Sequence, residues 1–83
     1  MSITLEQAKN LKYGDTVYHA TETYKNSNER LRFKVNGNPK TWKRDKERIK
    51  VPIKYGLYEY GEITNGTWEG NKFTLHLNDV SLV

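Results

Sequence analysis

The chain contains no cysteine, which excludes disulfide frameworks, thiolate zinc sites and thiol nucleophiles. Long apolar runs are also missing. No more than two hydrophobic residues are ever adjacent, so no segment reads as a membrane span or a signal peptide. Histidine is scarce, with only His19 and His76, far apart in sequence. A hydrolytic metal site usually needs three ligands, and no H-E-x-x-H string is present. The glycines form neither a G-x-x-x-x-G-K-[ST] nor a G-x-G-x-x-G phosphate loop. Paired acids such as Glu59 and Glu62, or Asp45 and Glu47, read as solvated charges, because 83 residues leave little room for an enclosed cleft. Together these absences argue against an enzyme and against any cofactor or metal.

What is present is charge, unevenly spread. From Lys25 to Lys54 there are eleven basic residues against three acids, a net +8, whereas the two flanks together carry −4. The whole chain stands at +4. A basic middle between acidic ends gives a dipolar surface if folding keeps the middle together. The length suits one small domain, residues 1–83, soluble and cytoplasmic in character.

The spacing Thr4-x-x-Gln7 is that of a capping box, and it predicts a short helix over about 4–13. Leu5, Ala8 and Leu11 share its inner face, Ile3 is placed to staple onto Ala8, and Gly14 is the expected left-handed cap. Beyond Gly14 the hydrophobic period changes to two. Asp15–Tyr24 is rich in Thr, Val and Tyr, and Leu31, Phe33 and Val35 alternate with Arg32 and Lys34. Asn36-Gly37-Asn38-Pro39 predicts a tight hairpin, with Thr41-Trp42-Lys43 as its return strand. Ile49, Val51 and Ile53 alternate with Lys50, Pro52 and Lys54. Pro52 marks that piece as an edge strand or a bent one. Gly61 reads as a bulge within a strand over Leu57–Thr64. Glu69-Gly70-Asn71 offers a further turn, and Lys72–Leu77 a last strand with Phe73, Leu75 and Leu77 inside. The expected fold is mainly β: five or six short antiparallel strands, from about 15 to 80, in a closed or nearly closed barrel after one N-terminal helix.

Some strings resemble known proteins. Leu11-Lys12-Tyr13-Gly14-Asp15-Thr16-Val17-Tyr18-His19 is similar to the opening of many SH3-like small barrels, where a Gly-Asp pair leads into the first strand. Tyr55–Thr64 resembles a later strand pair of that fold. With Lys40-Thr41-Trp42-Lys43 between them, the set is also similar to small uncharacterised proteins encoded by tailed bacteriophages. This resemblance implies an SH3-like barrel and, for a phage protein, a place in the host cytoplasm. It does not select a function, since such barrels bind RNA, DNA, peptides and proteins.

The basic middle points to DNA or RNA, because each phosphate neutralised by Lys or Arg releases condensed counterions. Arg32 and Lys34 share one face of their strand, and Lys50 and Lys54 share one face of theirs. Should those strands be neighbours, the four form a patch rimmed by Lys43, Arg44, Lys46 and Arg48. Trp42 and Tyr58 are the candidate stacking residues for unpaired bases. For Trp42 the competing claim is the core, which a small domain fills with its largest apolar side chain. Contact directed at the polynucleotide backbone is expected, because no recognition helix or zinc finger is present. The alternative, implied by the phage resemblance, is an accessory protein that binds a host or structural protein, with Tyr58, Tyr60 and Trp68 as anchors. The expected state is a monomer or a weak homodimer paired through strand edges.

Overall fold

A computed structural model describes residues 2–57, 59–66 and 72–83. The capping box forms as expected: Thr4 accepts from the Gln7 N–H at 3.1 Å, and Gln7 accepts from the Thr4 N–H at 2.9 Å. The helix α1 (Leu5–Lys9) is shorter than the spacing suggests. Asn10 ends it, its side chain bonding the Glu6 carbonyl and its N–H the Gln7 carbonyl, while the Leu11 N–H reaches back to Ala8. Gly14 (φ 92°) serves instead in the turn that feeds the first strand, where Lys12 and Asp15 bond each other. Ile3, Ala8 and Leu11 are buried.

Among the described residues the strands are β1 (Thr16–Thr23), β2 (Arg30–Val35), β3 (Lys40–Thr41), β4 (Ile49–Tyr55), β5 (Glu59–Thr64), β6 (Phe73–His76) and β7 (Val80–Ser81). They form one curled half-barrel sheet in the order β6-β5-β4-β2-β1-β7, with β3 also paired to β4. The fold is thus mainly β with one short N-terminal helix. Seven strands stand where five or six were expected: β3 begins one residue before the expected Thr41–Lys43 strand, and the two-residue β7 is too short to show a period. One neighbouring pair, β5 with β6, is parallel. Among the described residues the sheet does not close through hydrogen bonds. Instead a 3-10 turn (Leu77–Asp79) carries the chain from β6 at one edge to β7 at the other. Ile3 then covers β7, donating its N–H to the Val80 carbonyl at 2.8 Å.

Three turn and strand assignments change. The Asn36–Pro39 segment does not close a hairpin, since β2 pairs with β4 and β3 pairs with β4. Gly37 has no positive φ, and a Cβ there would lie 2.9 Å from the Pro52 ring. Close packing, not turn geometry, requires that glycine. Second, β4 is a central strand despite Pro52. In a strand the N and C=O of one residue face the same side, and the Pro52 carbonyl accepts from the Asn36 N–H at 2.9 Å. The ring nitrogen therefore points to the gap where β4 changes partner from β3 to β2, and no ladder donor is needed there. Third, Gly61 is in regular register with Ile53 on one side and Phe73 on the other. It is not a bulge; Phe73 crosses it too closely for any side chain.

The core consists of the inward residues of this alternation: Val17, Phe33, Val35, Ile49, Val51, Ile53, Ile63, Leu77 and Val80, with Ala8 and Leu11 from the N-terminal segment. Phe33, Tyr55 and Phe73 form an aromatic triad at one end, with ring centroids 5.3 to 6.3 Å apart. Such pairs contribute about 0.5–1.5 kcal/mol each beyond burial.

Gly61→Ala tests this packing. Its Cβ would lie 2.6 Å from the Phe73 ring and 2.7 Å from the Phe73 carbonyl oxygen. Because backbone cannot yield as a side chain can, a loss of roughly 1–3 kcal/mol is expected. Urea denaturation measures it, and an unchanged midpoint would contradict the close crossing.

Candidate nucleic-acid interface

The alternation that buries Phe33 and Val35 turns Arg32 and Lys34 to the outer face. That which buries Ile49, Val51 and Ile53 turns out Lys50, Pro52 and Lys54. Because β2 and β4 are neighbours, Lys34 and Lys54 are direct cross-strand partners. The same row continues to Thr16 on β1 and Tyr60 on β5. One row of the sheet therefore reads Thr16, Lys34, Lys54, Tyr60. Like charges placed directly opposite oppose pairing by some tenths of a kcal/mol. Among the described residues neither Lys34 nor Lys54 has a carboxylate within ion-pair distance. The Lys54 ammonium lies 5.9 Å from the centre of the half-exposed Tyr60 ring. A recess of about 230 Å³ opens beside the two lysines, lined by Tyr13, Gly14 and Asn36.

A second cluster lies further along β4. Lys50 is opposite Lys40 on β3 and Thr64 on β5. Trp42 follows two residues after Lys40 and is 41% exposed, so it is not the core residue that its size suggested. The Arg48 guanidinium and the Lys50 ammonium each lie 5.7 Å from its ring centre. Contacts of this kind contribute about 0.5–1 kcal/mol at exposed sites. Arg48 is also fixed by Asp45, which bonds its N–H at 3.1 Å and its Nε at 3.5 Å. Asn65 ties the start of β4 to the end of β5, accepting from the Ile49 N–H at 2.8 Å and donating to the Glu47 carbonyl. This side chain sets where β4 begins, and with it the position of Arg48 and Lys50.

Arg32 lies opposite Tyr18 on β1. Its own N–H donates to the Tyr24 hydroxyl at 3.2 Å. The Tyr24 hydroxyl, and then Glu29, hold its guanidinium pKa above the ordinary value. Arg32 therefore stays a cation at any working pH. Nearby, Arg30 stacks 5.5 Å from the Tyr18 ring centre. Glu62, opposite Pro52, is an acid set among these cations, and its Oε2 is buried with no hydrogen-bond partner among the described residues.

Of the residues singled out in the sequence, the fold brings Arg32, Lys34, Lys50 and Lys54 to one face, with Arg48 and Trp42 at its end. Lys43 and Arg44 are exposed in the segment between β3 and β4. Tyr58 lies outside the described residues, as do Trp68 and the Glu69–Asn71 turn. Lys40 and the Arg30–Tyr18 pair are additions, and Tyr60, expected as an anchor for protein docking, lies beside Lys54 on the cationic face. Parity was the available signal: Tyr60 alternates with buried Gly61, and Lys40 with Trp42 flanks Thr41.

A larger recess, about 620 Å³, opens where β2, β5 and β6 begin and β4 ends. Leu31, Phe33, Tyr55, Phe73 and Leu75 line it, together with His19, Glu22, Glu59 and Lys72. Its apolar lining adjoins the core, and its polar lining comes from β1, β5 and the residue before β6. Among the described residues no helix is long and apolar enough to cross a membrane, and no group of His, Asp and Glu could hold a metal ion. Comparison with protein-family models, with curated proteins and with solved structures gives no match.

Repulsion across the Lys34–Lys54 pair has a measurable consequence. Lys34→Glu turns it into an attractive pair, so stability should rise by about 0.5 kcal/mol at low salt, and the gain should vanish near about 1 M salt. Urea titrations of parent and variant at both salt levels read this directly. A loss of stability at low salt would mean that the two ammonium groups do not face each other.

Proposed function

We propose that this protein is a non-catalytic nucleic-acid-binding module that uses the outer face of β2, β4 and β5. The observation that carries the reading is the Lys34–Lys54 register pair. Two cations sit side by side on a sheet with no carboxylate within ion-pair distance among the described residues, an arrangement that opposes folding slightly and suits a polyanion. Arg32 and Lys50 extend the cationic row in two directions, and Lys43, Arg44 and Arg48 add charge on the β3–β4 side. Such a surface holds phosphates and reads few base edges, since a sheet face presents no helix to a major groove. A small barrel of SH3-like type, encoded by a phage, would be a natural carrier of this activity.

The alternative reading, an accessory protein that docks on a host or structural protein, is decided by the same measurement. Affinity for DNA or RNA should fall steeply with salt. Four phosphate contacts by Arg32, Lys34, Lys50 and Lys54 give a log–log slope of about −3 to −4. Replacing all four by Ala should abolish binding and leave the circular dichroism spectrum intact, because each side chain projects away from the core. Each single Ala variant should reduce the slope by about 1. Retention of parental affinity by the fourfold variant would overturn the proposed face. Absence of binding by the parent at low salt would leave protein docking as the function.

A further inference from the structure

Resting on that reading, we infer that the preferred ligand is single-stranded nucleic acid, laid diagonally across β4 with unpaired bases stacked on Trp42 and Tyr60. The two rings occupy opposite flanks of one strand. Trp42 packs against Arg48 and Lys50 from the β3 side, and Tyr60 against Lys54 from the β5 side. Lys50 and Lys54 are four residues apart, and β3 and β5 flank β4 two strand spacings apart. From a rise of 3.3 Å per residue and a spacing of 4.8 Å between strands, the rings stand roughly 15–20 Å apart. A strand that advances about 3.4 Å per stacked nucleotide spans that gap with about four to six nucleotides, within the range bound by single small barrels.

The path between the rings is cationic. It passes over Lys50 and Lys54, with Lys34 directly beside Lys54. Each ring is 41% or 50% exposed and has at least one cation against it. A base can stack on the ring while the adjoining ammonium or guanidinium meets its phosphate. In a duplex the base faces are already stacked on each other, and neither ring has anything to cover. Protruding rings on the middle of a sheet would instead hold a duplex away from the lysines. Stacking is blind to the sugar and largely to the base, so DNA and RNA strands should bind alike.

Fluorescence anisotropy at about 50 mM salt tests this with labelled oligothymidylate and oligouridylate 8-mers, a trimer of each, and a hairpin duplex. Both 8-mers should bind at least fivefold more tightly than the duplex and at least tenfold more tightly than the trimers, which cannot reach both rings. Trp42→Ala and Tyr60→Ala should each weaken 8-mer binding at least fivefold, the lower bound for one stacked base. The salt slope should stay unchanged, and Tyr60→Phe, which keeps the ring, should bind like the parent. Duplex binding as tight as 8-mer binding, or loss of both rings without effect, would overturn the single-strand inference and leave the basic face standing. Failure of every probe to bind would remove both.

Discussion

The alternation along β4 is the constraint on which the rest of the molecule depends. Ile49, Val51 and Ile53 are almost fully buried, and the strand that carries them is paired to β5 from Lys50 to Tyr55 and to β3 and β2 in turn on its other side. A core this small cannot do without any of the three, since each contributes about 1.5–3 kcal/mol. Because strand side chains alternate strictly, burying these three leaves Lys50, Pro52 and Lys54 no choice but the outer face. A register slip of one residue would exchange the two sets and put two ammonium groups into the core. The position of the cations is thus as firmly determined as the core itself.

The outer face differs from one arranged for solubility alone. A soluble sheet places cations beside carboxylates or spaces them apart. Here Lys34 and Lys54 share a register position, Lys40 and Lys50 share another, and aromatic rings sit against the cations. Acids do stand near this face, with Glu62 opposite Pro52, Glu29 near Arg32 and Asp45 against Arg48, but among the described residues none is within ion-pair distance of Lys34 or Lys54. Repulsion tolerated in a thin-cored domain is the physical basis for reading the face as a binding surface.

Local signals in the sequence were read well and long-range ones poorly, for a physical reason. Thr4 and Gln7 form their capping box because both partners lie within one helical turn. The alternations at Leu31–Val35, Ile49–Lys54 and Phe73–Leu77 appear as predicted because a half-buried strand needs a period of two. Which strands pair is another matter. Asn36-Gly37 looked like a hairpin turn, yet β2 bypasses β3 and joins β4, a choice made by core packing some twenty residues away. Pro52 signalled an edge because the gap between β2 and β3 that receives it cannot be seen in a linear sequence. Gly37 and Gly61 were legible as special but not for the right cause, which is close approach by Pro52 and Phe73. For Trp42, size argued for the core and its place among lysines for the face; the core closes instead with three aromatic rings, Phe33, Tyr55 and Phe73, and leaves Trp42 exposed. The convergence of Arg32, Lys34, Lys50 and Lys54 followed from parity once β2 and β4 were neighbours. Tyr60 joined the face only through its pairing with Lys54.

Chemical-shift mapping tests the central claim most directly. Titrating an isotopically labelled sample with a short single-stranded oligonucleotide should shift the amides of β4 and their neighbours Lys34 and Tyr60, together with the Trp42 indole N–H. Shifts that instead gather around Leu31, Phe33, Phe73 and Leu75, at the far recess, or that are absent at all ratios, would contradict a binding surface on the outer face of β4.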